Sequence, residues 1–272
     1  MGNGAITAST RLCAIIGNPI EHSLSPLIHN AAFEHLKLNY VFLAFKVEHL
    51  KEAVKGIRRL NLKGVSVTIP YKVEVMDYLD DIEEVAQKIG AVNTIVNREG
   101  SLRGYNTDCS GAIRALEEKM ELKNKKAMLL GAGGAARAIV FGLKERGADI
   151  TILNRTVKKA EMLASELNCQ YGGLDLIESF KPDVLINTTA LGMYPRVDDM
   201  PVKKEFLKDM LVFDIVYNPL KTRLIREAEQ NGCDTILGIE MFVNQAALQF
   251  GLWTGKEAPL KLMRNLVVKE LS

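Results

Sequence analysis

The stretch Ala127-Met128-Leu129-Leu130-Gly131-Ala132-Gly133-Gly134-Ala135-Ala136 joins a short apolar run to a glycine-rich turn. The run is typical of a buried β-strand, and residues 135–143 have the composition of a helix. The spacing G-x-G-x-x-A between a strand and a helix is the fingerprint of a dinucleotide site. Gly131 permits the tight turn, Gly133 lets the backbone approach a pyrophosphate, and Ala136 keeps the helix close to the strand. A turn that merely requires small residues is the alternative, but the order of strand, turn and helix favours the nucleotide site.

The next predicted strand indicates which dinucleotide is bound. Residues 149–153 form an apolar run that ends in Asn154-Arg155-Thr156, and Lys158 and Lys159 follow. Sites for NAD usually carry an acid about 20 residues after the glycine turn, which binds the ribose 2′-hydroxyl. Here the place is taken by a guanidinium, which suits the 2′-phosphate of NADP. The sequence therefore predicts NADP; the alternative is that Thr156 caps a helix whose lysines are solvated.

Apolar runs alternate with amphipathic segments through most of the chain. We predict strands at residues 11–17, 40–47, 64–69, 127–130, 149–153, 183–187, 211–215 and 235–237. Helical spacing predicts helices at residues 26–36, 49–60, 110–119, 135–143, 240–253 and 259–271. Strands separated by helices of about 10 to 15 residues imply βαβ units and mostly parallel sheets, with one hairpin expected between residues 91–97 and 102–105. The predicted fold class is α/β.

Length and composition limit the classes of function. A chain of 272 residues suggests roughly two domains. Thirty-five basic and 33 acidic residues leave a formal net charge of +2, which argues against a nucleic-acid or membrane-surface binder. Hydrophobic residues make up 47% and charged residues 25%, as in ordinary globular proteins. No apolar run approaches the length of a membrane span.

The cysteines and histidines lie far apart in the sequence. They are Cys13, Cys109, Cys169 and Cys233, and His22, His29, His35 and His49. Neither set has the spacing of a zinc site, so we expect reduced thiols and no metal. No pattern of a cleavable signal precedes Arg11. These features predict a cytoplasmic protein.

Three groups of polar residues follow predicted strands in the first part of the chain. They are Ser23-Leu24-Ser25-Pro26, Val67-Thr68-Ile69-Pro70-Tyr71-Lys72, and Ala91-Val92-Asn93-Thr94 with Asn106-Thr107-Asp108. Ligands of open α/β sheets bind at the carboxyl ends of parallel strands, which favours a site near Thr68 and Lys72. Ser23 and Ser25 at a helix N-terminus are suited to an anion of carboxylate size.

Each group also has a simpler structural interpretation. Ser25 and Pro26 are a favourable N-cap and first helical residue. Lys72 is of a type usually found solvated at the surface. Thr107 or Asp108 is suited to cap the following helix.

Taken together in order, these segments resemble the successive motifs of the shikimate dehydrogenase family. The resemblance continues through Gly131–Ala136, Asn154-Arg155-Thr156, Asn187-Thr188-Thr189, Gly192-Met193, Asp214-Ile215-Val216-Tyr217-Asn218-Pro219 and Gln245-Ala246. It covers essentially the whole chain, and the set is far more specific than any one member.

The resemblance implies a reversible, NADP-dependent reduction of 3-dehydroshikimate to shikimate in the biosynthesis of aromatic amino-acid precursors. It implies Lys72 and Asp108 as the catalytic pair. The residues implied around the substrate are Ser23, Ser25, Thr68, Lys72, Asn93, Asp108, Tyr217 and Gln245. Those implied around the cofactor are Gly131, Ala132, Gly133, Gly134, Ala135, Asn154, Arg155, Thr156, Lys159, Thr188, Ile215 and Gly238.

The resemblance also implies two domains. Residues 1–107 and 240–272 would form an α/β substrate domain, and residues 108–239 a Rossmann-type NADP domain with a doubly wound parallel sheet. The expected partner is a small molecule, with no nucleic acid and no membrane, and the protein is expected to be a monomer or a homodimer. Family positions commonly occupied by other residues hold Cys109, Thr188, Glu240 and Phe242 here.

The implied catalytic pair is chemically reasonable. Because the cofactor supplies the hydride, the protein has to move one proton and hold the geometry. A carboxylate near Lys72 favours its ammonium form, so we expect Lys72 to protonate the developing alkoxide during ketone reduction. Asp108 would orient the lysine and a substrate hydroxyl.

Three other functions remain open at this point. A quinate/shikimate dehydrogenase of broader scope would share the fold. A methylenetetrahydrofolate dehydrogenase is less similar, because its Tyr-x-x-x-Lys spacing is not found around Tyr71 and Lys72. A non-catalytic NADP-sensing regulator would keep the glycine turn, yet it would have no reason to retain Lys72 with Asp108.

Overall fold

A computed structural model describes residues 6–272 of the chain. Residues 1–5, part of the segment in which no cleavable signal was found, lie outside this range. The chain divides into two compact units. The first unit comprises the described residues up to Thr107 together with Gln245–Glu270, and the second comprises Asp108–Asn244 and Leu271–Ser272.

The first unit is built on a six-stranded mixed sheet. Its strands are β1 (Arg11–Gly17), β2 (Tyr40–Lys46), β3 (Gly64–Val67), β4 (Asp81–Ile82), β5 (Thr94–Arg98) and β6 (Ser101–Tyr105), in the order β2-β1-β3-β5-β6-β4. Strands β1, β2 and β3 are parallel, whereas β5 pairs antiparallel with both β3 and β6. The predicted hairpin is thus confirmed, but its first strand begins at Thr94 and not at Ala91.

Helices cover the strands of the first unit. They are α1 (Ser25–His35), α2 (Leu50–Arg59) and α3 (Glu84–Ile89), with a 3-10 turn at Glu74–Tyr78. Val54 and Ile57 of α2 pack with Ala14 and Val65 in one apolar core cluster. Helices α1 and α2 were predicted from the spacing of their apolar residues, whereas the short helix α3 was not predicted.

The prediction that Ser25 is an N-cap is wrong by one position. Helix α1 begins at Ser25 itself, the N-cap position is Leu24, and no side chain caps it in the usual way. The Oγ atom of Ser23 instead accepts a hydrogen bond from the Ser25 N–H at 3.3 Å. Ser23 therefore satisfies one of the N–H groups that the start of a helix leaves unpaired.

Strand β2 lies at the edge of this sheet, and a side chain covers part of its outer side. The Asn30 side chain in α1 donates from Nδ2 to the Phe42 carbonyl at 2.9 Å. It also accepts from the Phe42 N–H at 2.8 Å. One amide thus pairs with both backbone groups of Phe42, as a neighbouring strand would.

The second unit is built on a six-stranded sheet that is parallel throughout. Its strands are β7 (Lys126–Leu130), β8 (Asp149–Leu153), β9 (Gln170–Gly172), β10 (Val184–Asn187), β11 (Leu211–Asp214) and β12 (Asp234–Ile236), in the order β12-β11-β10-β7-β8-β9. Helices α4 (Asp108–Glu117), α5 (Gly134–Glu145), α6 (Val157–Leu167) and α7 (Arg223–Gln230) accompany it, with 3-10 turns at Leu174–Ser179 and Lys204–Phe206. The order of the strands reverses between β7 and β10, the topology of a doubly wound nucleotide-binding sheet.

Two long helices complete the chain. They are α8 (Gly238–Thr254) and α9 (Leu260–Leu271). The division between the units falls within α8, between Asn244 and Gln245. Among residues 6–272, no helix combines the length and apolar character needed to cross a membrane.

Candidate functional site

Polar residues collect at one edge of the sheet in the first unit. Strands β1 and β3 end at this edge, and β5, which runs antiparallel to β3, begins there. The Asn18 N–H donates to the Ile69 carbonyl at 2.9 Å, which joins the segments after β1 and β3. The Val67 N–H donates to the Asn93 carbonyl at 2.8 Å. The topology therefore brings three segments that are distant in sequence to a common edge.

Asn93 is the centre of a buried hydrogen-bond network at this edge. Its Oδ1 atom accepts from the Thr107 N–H at 2.8 Å and from the Thr94 hydroxyl at 2.8 Å. Its Nδ2 atom donates to Thr107 Oγ1 at 2.9 Å and to Gln245 Oε1 at 3.4 Å. Because a backbone N–H can only donate, the bond from Thr107 fixes which end of the Asn93 amide is oxygen.

Gln249 belongs to the same network, although the sequence analysis did not single it out. Its Nε2 atom donates to the Asn93 carbonyl at 3.2 Å and to Thr94 Oγ1 at 2.9 Å. Its Oε1 atom accepts from the Ser66 hydroxyl at 2.7 Å. The available signal was its position four residues after Gln245, which places both side chains on one face of α8.

Lys72 and Asp108 are each one residue away from this network. Lys72 is half-buried in the turn after β3, and its carbonyl accepts from the Val92 N–H at 2.7 Å, next to Asn93. Asp108 is 4% exposed, begins α4, and follows Thr107 directly. The Val92 N–H thus binds the Lys72 carbonyl, and the Asn93 side chain binds Thr107, the residue before Asp108.

The implied substrate residues of the earlier segments occupy the same edge. Ser25 is buried and Ser23 half-buried in the segment that leads from β1 into α1. Thr68 follows β3, and its N–H donates to the Ile16 carbonyl of β1 at 3.0 Å. Strand β3 ends at Val67, two residues earlier than predicted, because Pro70 has no N–H to continue a ladder.

Tyr217 lies in the second unit, and its ring stacks on Phe242, with centroids 4.4 Å apart and an interplanar angle of 20°. Phe242 is 8% exposed. Phe242 thus provides an aromatic surface that orients the Tyr217 ring.

The glycine turn of the second unit has the geometry that its sequence predicts. Gly131 has φ +112°, which an L side chain rarely adopts, and a Cβ atom there would lie 2.5 Å from Thr188 Oγ1. Gly133 is the N-cap of α5, and a Cβ atom there would meet no heavy atom within 4 Å. No side chain makes a capping hydrogen bond at the start of α5. These residues fit a dinucleotide phosphate group.

Of the other implied cofactor residues, Thr188 lies beside this turn, and Gly238 lies beside Ile215. Thr188 donates from its hydroxyl to the Leu130 carbonyl at 2.7 Å, at the end of β7. A Cβ atom on Gly238 would lie 2.4 Å from the Val216 carbonyl oxygen and 2.7 Å from that of Ile215. Only a glycine therefore lets the start of α8 pass so close to the segment after β11.

A buried carboxylate holds the segments that follow β10 and β11. Asp214 Oδ1 accepts from Asn187 Nδ2 at 2.9 Å and from the Val216 N–H at 3.1 Å. Its Oδ2 atom accepts from the hydroxyl of Thr222, the N-cap of α7, at 2.6 Å. Burial raises the pKa of Asp214 to about 6, and these three hydrogen bonds oppose the shift.

The residues after β8 are accessible to a ligand. Arg155, Thr156 and Lys159 are exposed, and Asn154 donates from Nδ2 to the Thr156 carbonyl at 3.0 Å. Thr156 is the N-cap residue of α6, but its side chain makes no capping hydrogen bond, so the predicted capping is wrong. Lys158 pairs with Glu161 at 3.0 Å on the surface of α6.

Protein-family models match three segments of the chain. Residues 15–95 match the shikimate dehydrogenase substrate binding domain, and residues 114–219 match shikimate / quinate 5-dehydrogenase. Residues 238–268 match the shikimate 5'-dehydrogenase C-terminal domain.

Curated relatives and solved structures match over nearly the full length. A shikimate dehydrogenase (NADP(+)) from Methanothermobacter thermautotrophicus is 46% identical, covering 98% of this chain and 99% of the relative. A crystal structure of a shikimate dehydrogenase in complex with NADP+ is 44% identical with a TM-score of 0.93, covering 98% of both chains. The Thermus thermophilus enzyme, solved in complex with NADP(H) and shikimate, is 35% identical with a TM-score of 0.88, covering 96% of this chain and 99% of that chain. The chain therefore belongs to the shikimate dehydrogenase family and is an NADP-dependent oxidoreductase.

Proposed function

We propose that Lys72 and Asp108 handle the proton in the reaction of this family, the reversible NADP-dependent reduction of 3-dehydroshikimate to shikimate. The observation that carries this assignment is the network around Asn93. It binds Thr107, the residue before Asp108, while the neighbouring Val92 binds the Lys72 backbone. A lysine and a carboxylate at such positions suit a proton transfer coupled to a hydride transfer.

The chain's own residues have separate roles in this proposal. When bound, NADPH supplies a hydride from C4 of its nicotinamide. The ammonium group of Lys72 donates a proton from Nζ to the oxygen of the ketone as that oxygen becomes an alkoxide. In the reverse direction Lys72 Nζ first loses a proton and then accepts the one from the hydroxyl. Asp108 accepts hydrogen bonds from the lysine and a substrate hydroxyl, which orients both.

The remaining implied residues bind the two ligands. Hydroxyl and amide groups suit a ring that carries hydroxyls and a carboxylate, and they come from Ser23, Ser25, Thr68, Asn93, Tyr217 and Gln245. The turn at Gly131–Ala135 would receive the pyrophosphate of NADP, and Arg155 its 2′-phosphate, with Asn154, Thr156 and Lys159 alongside. Thr188, Ile215 and Gly238 would line the same cofactor site.

We assign substrate binding to residues 1–107 with 240–272, and NADP binding to residues 108–239. The parallel sheet and glycine turn of the second unit support the NADP assignment. A cytoplasmic setting is supported by the four cysteines, which form no disulfide within the part of the chain that the structure describes. A small-molecule substrate accounts for the site in either a monomer or a homodimer.

A single assay tests the reaction and its scope. The purified protein is mixed with NADP+ and either shikimate or quinate, and NADPH absorbance is followed. We expect rapid reduction with shikimate and little with quinate. Comparable rates with both would indicate the broader quinate/shikimate enzyme, and no reduction with either would contradict the proposed function.

A further inference from the structure

We propose that Gln249 is a positioning residue of the substrate site: acting through Thr94, it adds a second hydrogen bond that supports the orientation of the Asn93 amide already set by the Thr107 N–H. This inference rests on the proposed role of Asn93 and Gln245 in binding shikimate. It concerns a residue that touches neither ligand in that proposal and lies one helical turn beyond Gln245.

The hydrogen bonds of Gln249 have a fixed direction. Its Nε2 atom contacts the Asn93 carbonyl, which can only accept, so the nitrogen has to be on that side of the amide. Its Oε1 atom then faces Ser66, whose hydroxyl donates to it at 2.7 Å. Gln249 is 2% exposed, and every part of its amide has a partner, which offsets the cost of burying it.

The direction of these hydrogen bonds affects Asn93 through Thr94. Because Thr94 Oγ1 accepts a hydrogen from Gln249, its own proton is available for Asn93 Oδ1, 2.8 Å away. Asn93 Oδ1 therefore receives two donors, and Asn93 Nδ2 is left to donate to Thr107 Oγ1 and Gln245 Oε1. An amide with both ends specified loses less rotational freedom when substrate binds.

Helix α8 provides a matched control for this role. Trp253 stands four residues after Gln249, is also 2% exposed, and donates from Nε1 to the Ile95 carbonyl of β5 at 3.1 Å. It fastens the same helix to the same strand but does not belong to the chain of bonds that reaches Asn93. A variant that only loosens the helix is thus distinguishable from one that frees the amide.

The test uses the full-length enzyme and compares Gln249→Met with Trp253→Phe. We expect Gln249→Met to raise the KM for shikimate about fivefold to tenfold, the loss of one or two neutral hydrogen bonds. The kcat should stay within about twofold, and the affinity for NADPH should not change. Trp253→Phe should lower thermal stability and leave the KM for shikimate near that of the wild type.

A second pair of variants tests the hydrogen bonds that run from Gln249 through Thr94 to Asn93, without altering α8. Thr94→Val should raise the KM for shikimate as Gln249→Met does. Thr94→Ser keeps the hydroxyl, so its KM should stay near that of the wild type. The double variant with Thr94→Val and Gln249→Met should be no worse than the single ones, because members of one chain of bonds are not additive. An unchanged KM in Gln249→Met, equal KM effects in Trp253→Phe, or additive effects in the double variant would each overturn the inference.

The outcome also separates this inference from the assignment on which it rests. Asn93→Ala tests the substrate role directly. If Asn93→Ala leaves the KM for shikimate unchanged, the proposed site is wrong. If Asn93→Ala raises KM while Gln249→Met does not, only the positioning role fails.

Discussion

The two units bury polar groups at the ends of their strands in different ways. In the first unit the network around Asn93 consists of amides and hydroxyls, so it carries no charge at any ordinary pH. In the second unit the central group is the carboxyl of Asp214. Both networks also include backbone groups: the Thr107 N–H and the Asn93 carbonyl in the first unit, and the Val216 N–H in the second.

The difference shows what each type of network does well. Amides and hydroxyls have both donors and acceptors, so a chain of them has a direction and can orient a side chain that binds a ligand. A carboxylate only accepts, and it gathers several donors around one point. It therefore suits the second unit, where the segments after β10 and β11 have to be held in place.

Of the variants that test this difference between the two units, Lys72→Ala in the first unit should have the largest effect, a loss of catalysis. General acid catalysis contributes roughly 10²- to 10⁴-fold, so kcat for shikimate oxidation should fall at least about 100-fold. The affinity for NADP should stay the same, because Lys72 belongs to the first unit. Steady-state kinetics and a fluorescence titration with NADPH measure the two quantities. Lys51→Ala on the exposed face of α2 is the control. Near-normal turnover in Lys72→Ala would show that Lys72 takes no part in the mechanism.

The next effect concerns His29, a buried histidine of the first unit. Among the described residues neither ring nitrogen has a hydrogen-bond partner, and the ring stacks on Phe42 at 4.5 Å. Burial among these rings lowers the pKa of His29 to about 3.

Between pH 6.5 and about 3 the unfolded chain therefore binds a proton that the folded protein excludes. Stability should fall as pH drops through that window, by about 1.4 kcal/mol per pH unit. His29→Phe keeps the aromatic packing and should remove this part of the acid dependence in urea unfolding at several pH values. The same acid slope in the variant would show that His29 is not responsible.

The effect of Asp214 on the pH dependence of stability should have the opposite sign to that of His29, over a narrower range of pH. Because its pKa is raised to about 6 in the folded protein, the folded state holds a proton between pH 3.8 and 6 that the unfolded chain releases. Its contribution to stability is full below pH 3.8 and is lost as pH rises through 6, by about 1.4 kcal/mol per unit. Asp214→Asn should flatten this slope in the same unfolding experiment, with the exposed Asp234→Asn as control.

The smallest effect expected is on cofactor preference. Arg155→Ala should raise the KM for NADP about tenfold to a hundredfold, the loss of a charge-assisted hydrogen bond, and leave that for NAD nearly unchanged. Lys158→Ala is the matched control, because Lys158 already pairs with Glu161. Kinetics with both cofactors give the ratio, and an unaltered preference would refute the assigned role of Arg155.

Features set by local sequence were predictable to within a few residues. Strands β1 and β8 have the predicted bounds, and the turn between β7 and α5 has the predicted geometry, because Gly131 alone permits its φ of +112°. Strands β4 and β9 were missed, because Asp81–Ile82 and Gln170–Gly172 contain no apolar run.

Features that depend on topology were not predictable. Gln249 reaches Asn93 from 156 residues further along the chain, which requires the antiparallel pairing of β3 and β5 and the return of α8. Side-chain capping was also misjudged at Ser25 and Thr156, whereas Thr222 does cap α7. Residue type identifies a suitable cap, but the loop before the helix decides whether its oxygen reaches an N–H.

The pairing of Asn30 with Phe42 has a consequence for how copies of the protein meet. An exposed edge strand is a template for sheet extension and aggregation. Since the Asn30 amide occupies both backbone groups of Phe42, an incoming strand would first have to displace it from the middle of β2. The Asn30 side chain is thus an obstacle to sheet extension at an edge that also exposes Leu43 and Phe45.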